Sequence, residues 1–322
     1  MGHTAVVILN WNGEKLLQKF LPPTVENTSG AVVIVADNGS TDGSVAWIRR
    51  TFPGLRLLEF DRNYGFAEGY NRAIQLLDGY ENIVLLNSDA APAPGWIPPL
   101  VEMLGREGVV AVQPKILAYN DPTCFEYAGA AGGLLDRNGY PYCRGRVLGH
   151  VEKDCGQYDD EAEIFWASGA ALAVKRDAYL QAGGLDTDFF AHMEEIDLCW
   201  RLKLAGGKVM YQPRSTVYHL GGGSLDSRSP KKTYLNFRNN LLMLHKNLPE
   251  GSRKTKLLFR RRLLDTLAWL KFILSGKFAH AGAILKAHKD FRTMKGNYTA
   301  FPRHDLLAKE CNESIFRLLR NR

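Results

Sequence analysis

Apolar runs of four to six residues recur at intervals of about 25 residues near the amino terminus: Ala5 to Leu9, Val32 to Ala36, Leu55 to Phe60 and Ile83 to Leu86. Runs this short, rich in Val, Ile and Leu, suit buried strands better than helices. Helical patterns fill the gaps: Lys15 to Phe20, Ser44 to Phe52 after a cap at Thr41 or Asp42, and Ala67 to Leu77. A β-α-β-α rhythm predicts an α/β fold, a mostly parallel central sheet flanked by helices, whose ligand crevice lies beyond the carboxyl ends of the strands.

Polar clusters stand just after those strands. Asn10-Trp11-Asn12-Gly13 follows the first, Asp37-Asn38-Gly39-Ser40-Thr41-Asp42 the second and Asn87-Ser88-Asp89 the fourth. Neither GxGxxG after the first strand nor GxxxxGK[ST] anywhere is present, which disfavours a dehydrogenase or a P-loop ATPase. Asp37 leaves a buried strand, where its carboxylate can accept the N3–H of uracil or thymine or serve a tight turn. Asp89 likewise leaves a strand, where a carboxylate can hold a hard divalent cation or cap the next helix.

A chain of 322 residues, 45% hydrophobic and 23% charged, has the material for a large packed core, so a disordered or disulfide-dependent chain is excluded. Its five cysteines form no CxxC pair, which fits a reducing compartment and no zinc site. The amino-terminal residues hold no basic flank and only a five-residue apolar run, so they read as a strand and not as a signal peptide. The most apolar later stretch, Leu263 to Leu285, is interrupted by Asp265, Lys271, Lys277 and His280, so no membrane span is expected.

Net charge is +7, but residues 228 to 322 hold 22 Lys/Arg against 6 Asp/Glu, or +16, which leaves −9 for residues 1 to 227. In that tail Arg260, Arg261, Arg262, Lys271 and Lys277 interleave with Phe259, Leu263, Leu267, Leu270 and Leu274. The pattern is a basic amphipathic helix, suited to an anionic membrane surface or to packing on a neighbouring domain. Nucleic acid is a weaker expectation, for no recognition motif accompanies the charge.

A second dense constellation lies further on: Trp166-Ala167-Ser168-Gly169-Ala170, then Phe189 to Arg201. Glu194, Asp197 and Arg201 fall on one face of a helix beginning at the acids, with Asp197 and Arg201 four apart. Such acids stabilise a helix start, and one held in a pocket near a hydroxyl works as a general base. Trp166 reads equally as a core residue and as an aromatic platform for a sugar.

Taken in order, Asn10-Trp11-Asn12, Ala36 to Ser44, Asn63-Tyr64-Gly65-Phe66-Ala67 through Asn71, Leu86-Asn87-Ser88-Asp89, Ser168-Gly169-Ala170 and Glu194 to Arg201 resemble the family 2 glycosyltransferases of GT-A fold, especially their bacterial rhamnosyltransferase-like branch. The resemblance covers residues 4 to about 245. It implies a GT-A domain over residues 1 to 227, with a nucleotide-binding half to about 115 and an acceptor half from 116, followed by a basic helical C-terminal region at 228 to 322.

By that resemblance the chain is an inverting glycosyltransferase. It moves a sugar from a UDP- or dTDP-sugar, dTDP-rhamnose among them, to a hydroxyl of a saccharide or polyprenyl-linked saccharide in cell-surface polysaccharide synthesis. Asn10, Asn12, Asp37, Asn63, Gly65, Asn71, Asn87 and Ser88 are implied to bind the nucleotide sugar, and Trp166, Ser168 and Gly169 to shape the sugar or acceptor pocket. Asp89 and His219 are implied to hold Mg²⁺ or Mn²⁺, although Asn87 replaces the first acid of the family's metal motif. The catalytic acids are implied at Glu194, Glu195 and Asp197. Glu195 stands where the family usually has an Asp, so it and Asp197 compete for the role of base. The expected location is cytoplasmic, or peripheral on the inner face of the cytoplasmic membrane. Two other classes compete: a nucleotidyltransferase, which calls for a Gly- and Arg-rich loop after the first strand, and a noncatalytic carbohydrate-binding or scaffold protein.

Overall fold

Strands form where the apolar runs predict them. They are β1 (Thr4–Asn10), β2 (Val32–Asp37), β3 (Arg56–Glu59) and β4 (Asn82–Asn87), joined by helices α1 (Glu14–Asn27), α2 (Ser44–Thr51) and α3 (Gly65–Gln75). The structure is a computed structural model and describes residues 3 to 221 and 229 to 320. Helix α1 outruns the expected Lys15 to Phe20 segment and continues through Pro22 and Pro23. Both prolines forgo a backbone donor, and Thr24 Oγ1 donates to the Phe20 carbonyl at 2.7 Å within that turn.

Next come β5 (Ala90–Pro92), α4 (Ile97–Leu104), β6 (Val109–Ala118) and β7 (Asp121–Phe125). A separate small sheet contains β8 (Gly133–Leu135), β9 (Pro141–Cys143), β10 (Arg146–Val147) and β11 (His150–Val151). The chain returns to the main sheet through β12 (Ala162–Glu163), β13 (Ala171–Lys175), α5 (Arg176–Gln181), α6 (Glu194–Leu204) and β14 (Lys208–His219). Its last part is helical: α7 (Pro230–Asn247), α8 (Ser252–Leu274), α9 (Phe278–Met294), α10 (Leu306–Glu310) and α11 (Ile315–Arg320).

The main sheet runs β12-β14-β6-β13-β4-β1-β2-β3. Its amino-terminal half is parallel as expected, but β13 is antiparallel to both β4 and β6, so the whole sheet is mixed. Register aligns the site: Asn10 pairs with Asp37 across β1 and β2, and Leu9 with Asn87 across β1 and β4.

Strand residues alternate between two cores, as a pleat of period two requires. Ala5 and Val7 face a layer containing Tyr70, Ile74 and Trp200, whereas Val6 and Ile8 face Leu17, Ile48, Trp96 and Leu100. Leu242, Leu244 and Leu307 of the basic tail belong to the first of these layers. The division expected at 227/228 lies outside the described residues; it marks a change of charge, while the hydrophobic core runs across it. Among the described residues no helix is long and apolar enough to cross a membrane.

Candidate active site

At the carboxyl edge of β1 and β2, Asp37 is buried and its two oxygens are held apart by different partners. Asn10 Nδ2 donates to Oδ2 at 2.9 Å, and the Ser40 amide donates to Oδ1 at 2.8 Å. A carboxylate has about four acceptor positions, so the one fixed this way still has capacity for a ligand N–H. Asn12 closes the same loop: its amide donates to Ser40 Oγ at 2.9 Å and its side-chain oxygen accepts from the Thr41 amide at 2.7 Å. Gly39 is required here, because at φ +71° a Cβ would stand 2.5 Å from the Arg62 backbone. That close approach joins the Asp37 loop to the Asn63 loop, where Asn63 Oδ1 accepts from Asn38 Nδ2 at 3.0 Å and from the Gly65 amide at 2.8 Å.

Asn71 serves elsewhere. Its amide donates to the Leu185 carbonyl at 2.8 Å and its oxygen accepts from the Leu185 amide at 2.9 Å and the Tyr179 hydroxyl at 2.6 Å, which ties α3 to the turn after α5. Those bonds fill both acceptor positions of Asn71 and use one of its two amide hydrogens, so it braces the fold at this point.

Beyond β4, Asp89 and His219 are both buried, and Asp89 Oδ1 lies 3.0 Å from His219 Nε2. Their strands are joined directly, for the Leu220 amide donates to the Asp89 carbonyl at 3.0 Å. Asn87 Nδ2 lies 3.3 Å from the same imidazole nitrogen, and Ser88 is half-buried between them. On the far side of the ring Glu126 Oε2 stands 3.4 Å from Nδ1. Glu126 is buried in the irregular stretch after β7. No sequence motif marks it; only its position beside a buried imidazole reveals it.

Burial works against the His219 cation, but the hydrogen bonds and charges of Asp89 and Glu126 outweigh it and push the imidazole up to about 10. One carboxylate and one imidazole at adjacent-ligand spacing, with a second carboxylate behind the ring to orient it, fit a divalent ion that also binds substrate oxygens. Among the described residues no three His, Cys, Asp or Glu converge as a complete protein cage. The donor set suits an ion shared with a phosphate ligand.

The acids of α6 sit behind an unusual entry. Phe190, His192 and Met193 have φ of 64°, 68° and 75°, left-handed values that residues with a Cβ adopt at a cost of about 1 kcal/mol or more each. Side chains from α7 hold this turn. Asn239 Nδ2 donates to the carbonyls of Phe189, Ala191 and His192 at 2.8, 2.8 and 2.7 Å, and Arg238 reaches those of Asp188 and Phe189 at 2.9 and 3.0 Å.

Past that turn the three acids separate in character. Asp197 is fully buried and accepts from Arg201 at 2.8 Å, Lys246 at 2.9 Å and Asn247 at 2.7 Å. Burial opposes its charge, yet Arg201 and Lys246 hold it below the usual carboxylate range, which makes it an anchor between α6 and α7 and a poor base. Glu194 and Glu195 each carry a buried oxygen with no hydrogen-bond partner. Burial drives the Glu195 carboxyl up to about 7 against the pull of nearby backbone amides; burial and then the Glu195 charge raise Glu194 well above its ordinary range. Glu195 Cβ lies 3.8 Å from where a Cβ on Gly169 would stand, and Phe66 borders the same point. The turn at Ser168 to Ala170 leads back to β4, since the Asn87 amide donates to the Ala170 carbonyl at 3.0 Å. Ser168 itself is buried and shapes that turn, its hydroxyl accepting from the Ala170 amide at 3.2 Å.

Trp166 takes the core alternative. It is buried, its Nε1 donates to the Leu134 carbonyl at 2.9 Å, and a Cβ on Gly133 would strike its ring at 2.1 Å. Neither face of that ring is open to a sugar, so the pocket role expected for Trp166 is corrected.

Residues 5–131 match the family model described as "Glycosyl transferase family 2". The N-acetylglucosaminyl-diphospho-decaprenol L-rhamnosyltransferase of Mycobacterium tuberculosis is 29% identical over 247 residues, covering 66% of this chain and 75% of that protein. Among solved structures, GalNAc-T7 with UDP, GalNAc and Mn²⁺ superposes with a TM-score of 0.61 at 17% identity, over 78% of this chain and 49% of that one, so this chain spans about half of that protein's length. The Pyrobaculum calidifontis mannosyltransferase PcManGT with GDP-Man and Mn²⁺ superposes with a TM-score of 0.54 at 16% identity, over 99% of this chain and 79% of that one. Residues 5–131 thus match the model of glycosyl transferase family 2, and the chain shares the GT-A fold of these glycosyltransferases.

Proposed function

We propose that this protein transfers a sugar, with inversion at the anomeric carbon, from a nucleoside-diphosphate donor to a hydroxyl of a saccharide or lipid-linked saccharide. The observation that carries the reading is Glu195, half-buried with one buried oxygen that lacks a partner, its carboxyl raised to about 7 and held beside the Gly169 turn. A base with that affinity for protons is matched to taking one from an alcohol near neutral pH. The acceptor oxygen bonds to the anomeric carbon as its proton passes to Glu195, and the bond from that carbon to the diphosphate oxygen breaks with its electron pair on the leaving group. Asp37, braced by Asn10 and Ser40, receives the N3–H of uracil or thymine, so UDP- and dTDP-sugars, dTDP-rhamnose included, are the donor class. Asp89 and His219 would hold Mg²⁺ or Mn²⁺, which as a Lewis acid neutralises charge on the departing diphosphate. The Mycobacterium tuberculosis relative, by its name, acts on a diphospho-decaprenol saccharide, which supports a lipid-linked acceptor and work at a membrane surface in bacterial polysaccharide synthesis.

Incubating the protein with a panel of UDP- and dTDP-sugars and Mn²⁺ tests this. At least one donor is expected to release its nucleoside diphosphate, and Glu195→Gln to slow that release about a hundredfold or more with the thermal midpoint unchanged. Equal rates for Glu195→Gln and the parent protein would overturn the assignment of the base.

A further inference from the structure

Helix α8 buries only Lys254, Arg261 and Asp265 among its described residues. Arg261 fixes it to the body of the protein, donating to the Asn138 carbonyl at 3.1 Å with its guanidinium 3.8 Å from the Tyr140 ring centre. On its other face the helix carries an exposed apolar row. Phe259, Leu263, Leu267, Leu270 and Leu274 succeed one another at steps of four, four, three and four, the spacing of one helix face, and Phe278 continues it into α9. Leu267 is 63% exposed, Leu274 79% and Phe278 66%. Lys256, Arg260, Lys271 and Lys277 are exposed along the same row.

This row ends near the catalytic turn. At the junction of α8 and α9, Phe272 stacks on His280 at 5.1 Å, and His280 Nδ1 lies 2.8 Å from Thr233 Oγ1 on α7. Two residues earlier, Lys231 stands 4.9 Å from the ring centre of Phe190, which lies beside Gly65. The apolar tip and the left-handed turn before Glu194 therefore share one end of α7.

We propose that the α8–α9 tip is a membrane-docking surface, with Leu267, Leu270, Leu274 and Phe278 entering the acyl boundary and Lys256, Arg260, Lys271 and Lys277 contacting anionic headgroups. Charge selects this occupant over a second copy of the chain. A two-fold pairing through this face would set the same cations against one another, and the one acid of α8, Asp265, is buried. A nucleic-acid backbone would answer the cations and leave the leucines in water. Docked this way, the tip brings the Glu195 turn toward the plane where a lipid-linked acceptor presents its sugar, and in this respect the inference rests on the transferase reading.

Flotation with phosphatidylcholine vesicles, with and without phosphatidylglycerol, tests the surface at about 0.15 M salt. The full chain is expected to float with the anionic vesicles. Leu267→Ser/Leu270→Ser/Leu274→Ser should weaken partition at least about tenfold, and Lys256→Gln/Arg260→Gln/Lys271→Gln roughly a hundredfold on anionic vesicles alone. Both variants should keep the thermal midpoint and the rate of nucleoside diphosphate release from donor in solution. No flotation of a protein that hydrolyses donor overturns the docking surface and leaves the transferase standing. Flotation without any donor turnover overturns the transferase and leaves the surface. Sedimentation as a dimer that the serine variant dissociates, without vesicle binding, assigns the face to a second copy and also overturns the proposal.

Discussion

Glu194 and Glu195 are neighbouring carboxyls that burial raises, and the proposed function gives Glu195 the role of base. A rate that depends on ionised Glu195 should rise with pH through a limb near 7, the value to which burial brings this carboxyl. Stability runs the other way. Both carboxyls have folded values above the unfolded 4.5, so their contribution is complete below 4.5 and falls as pH rises through the folded values. Glu194→Gln removes a buried charge, so it should raise the thermal midpoint by about 3 °C or more at about pH 8 and change it little at about pH 4. A melting series across that range checks the sign. Asp197 is the opposite case, a low carboxylate whose stabilisation is present above 3.8 and lost as pH falls through its folded value. Sequence spacing placed it correctly within reach of Arg201; that Lys246 and Asn247 also converge on it depends on a helix 50 residues away.

At the level of elements, the parallel half of the sheet was legible because each strand is a short apolar run followed by polar residues at one edge. The antiparallel β13 was not, since a buried strand of either direction has the same composition. Trp166 was ambiguous for a related reason: an indole's pattern in sequence does not say whether Gly133 or a sugar lies under it. Glu126 escaped notice because it sits in an irregular stretch with no period, and the ties of Asn71 to Leu185 and Tyr179 join segments over 100 residues apart in sequence. The largest surprise is α7, whose Arg238 and Asn239 hold the turn into α6 from within the basic tail. Replacing Asn239 by Leu removes the amide whose two N–H groups reach three carbonyls of a strained turn, and a small shift of Glu195 is costly in rate. A loss of about a hundredfold in kcat with donor KM within about threefold is expected, with partial recovery in Asn239→Gln. Steady-state kinetics beside a melting curve checks this; a fall in thermal midpoint with kcat intact would make the clamp structural only.

For the molecule as a whole, charge and packing are divided differently. Composition separates a −9 region from a +16 region at residue 228, whereas Leu242, Leu244 and Leu307 complete the core beneath the sheet. Arg238, Lys254 and Arg261 are buried, while α8 displays Lys256, Arg260 and Lys271 beside leucines at the surface. The proposed function requires both halves of the sheet to deliver side chains to one bound diphosphate. Electron–nuclear double resonance on Mn²⁺ bound together with UDP or dTDP tests that claim most directly. Phosphorus couplings and a nitrogen coupling on the same ion, the latter absent in His219→Gln, are the predicted result. Phosphorus couplings with a nitrogen signal that survives His219→Gln, or no ternary complex at all, would contradict it.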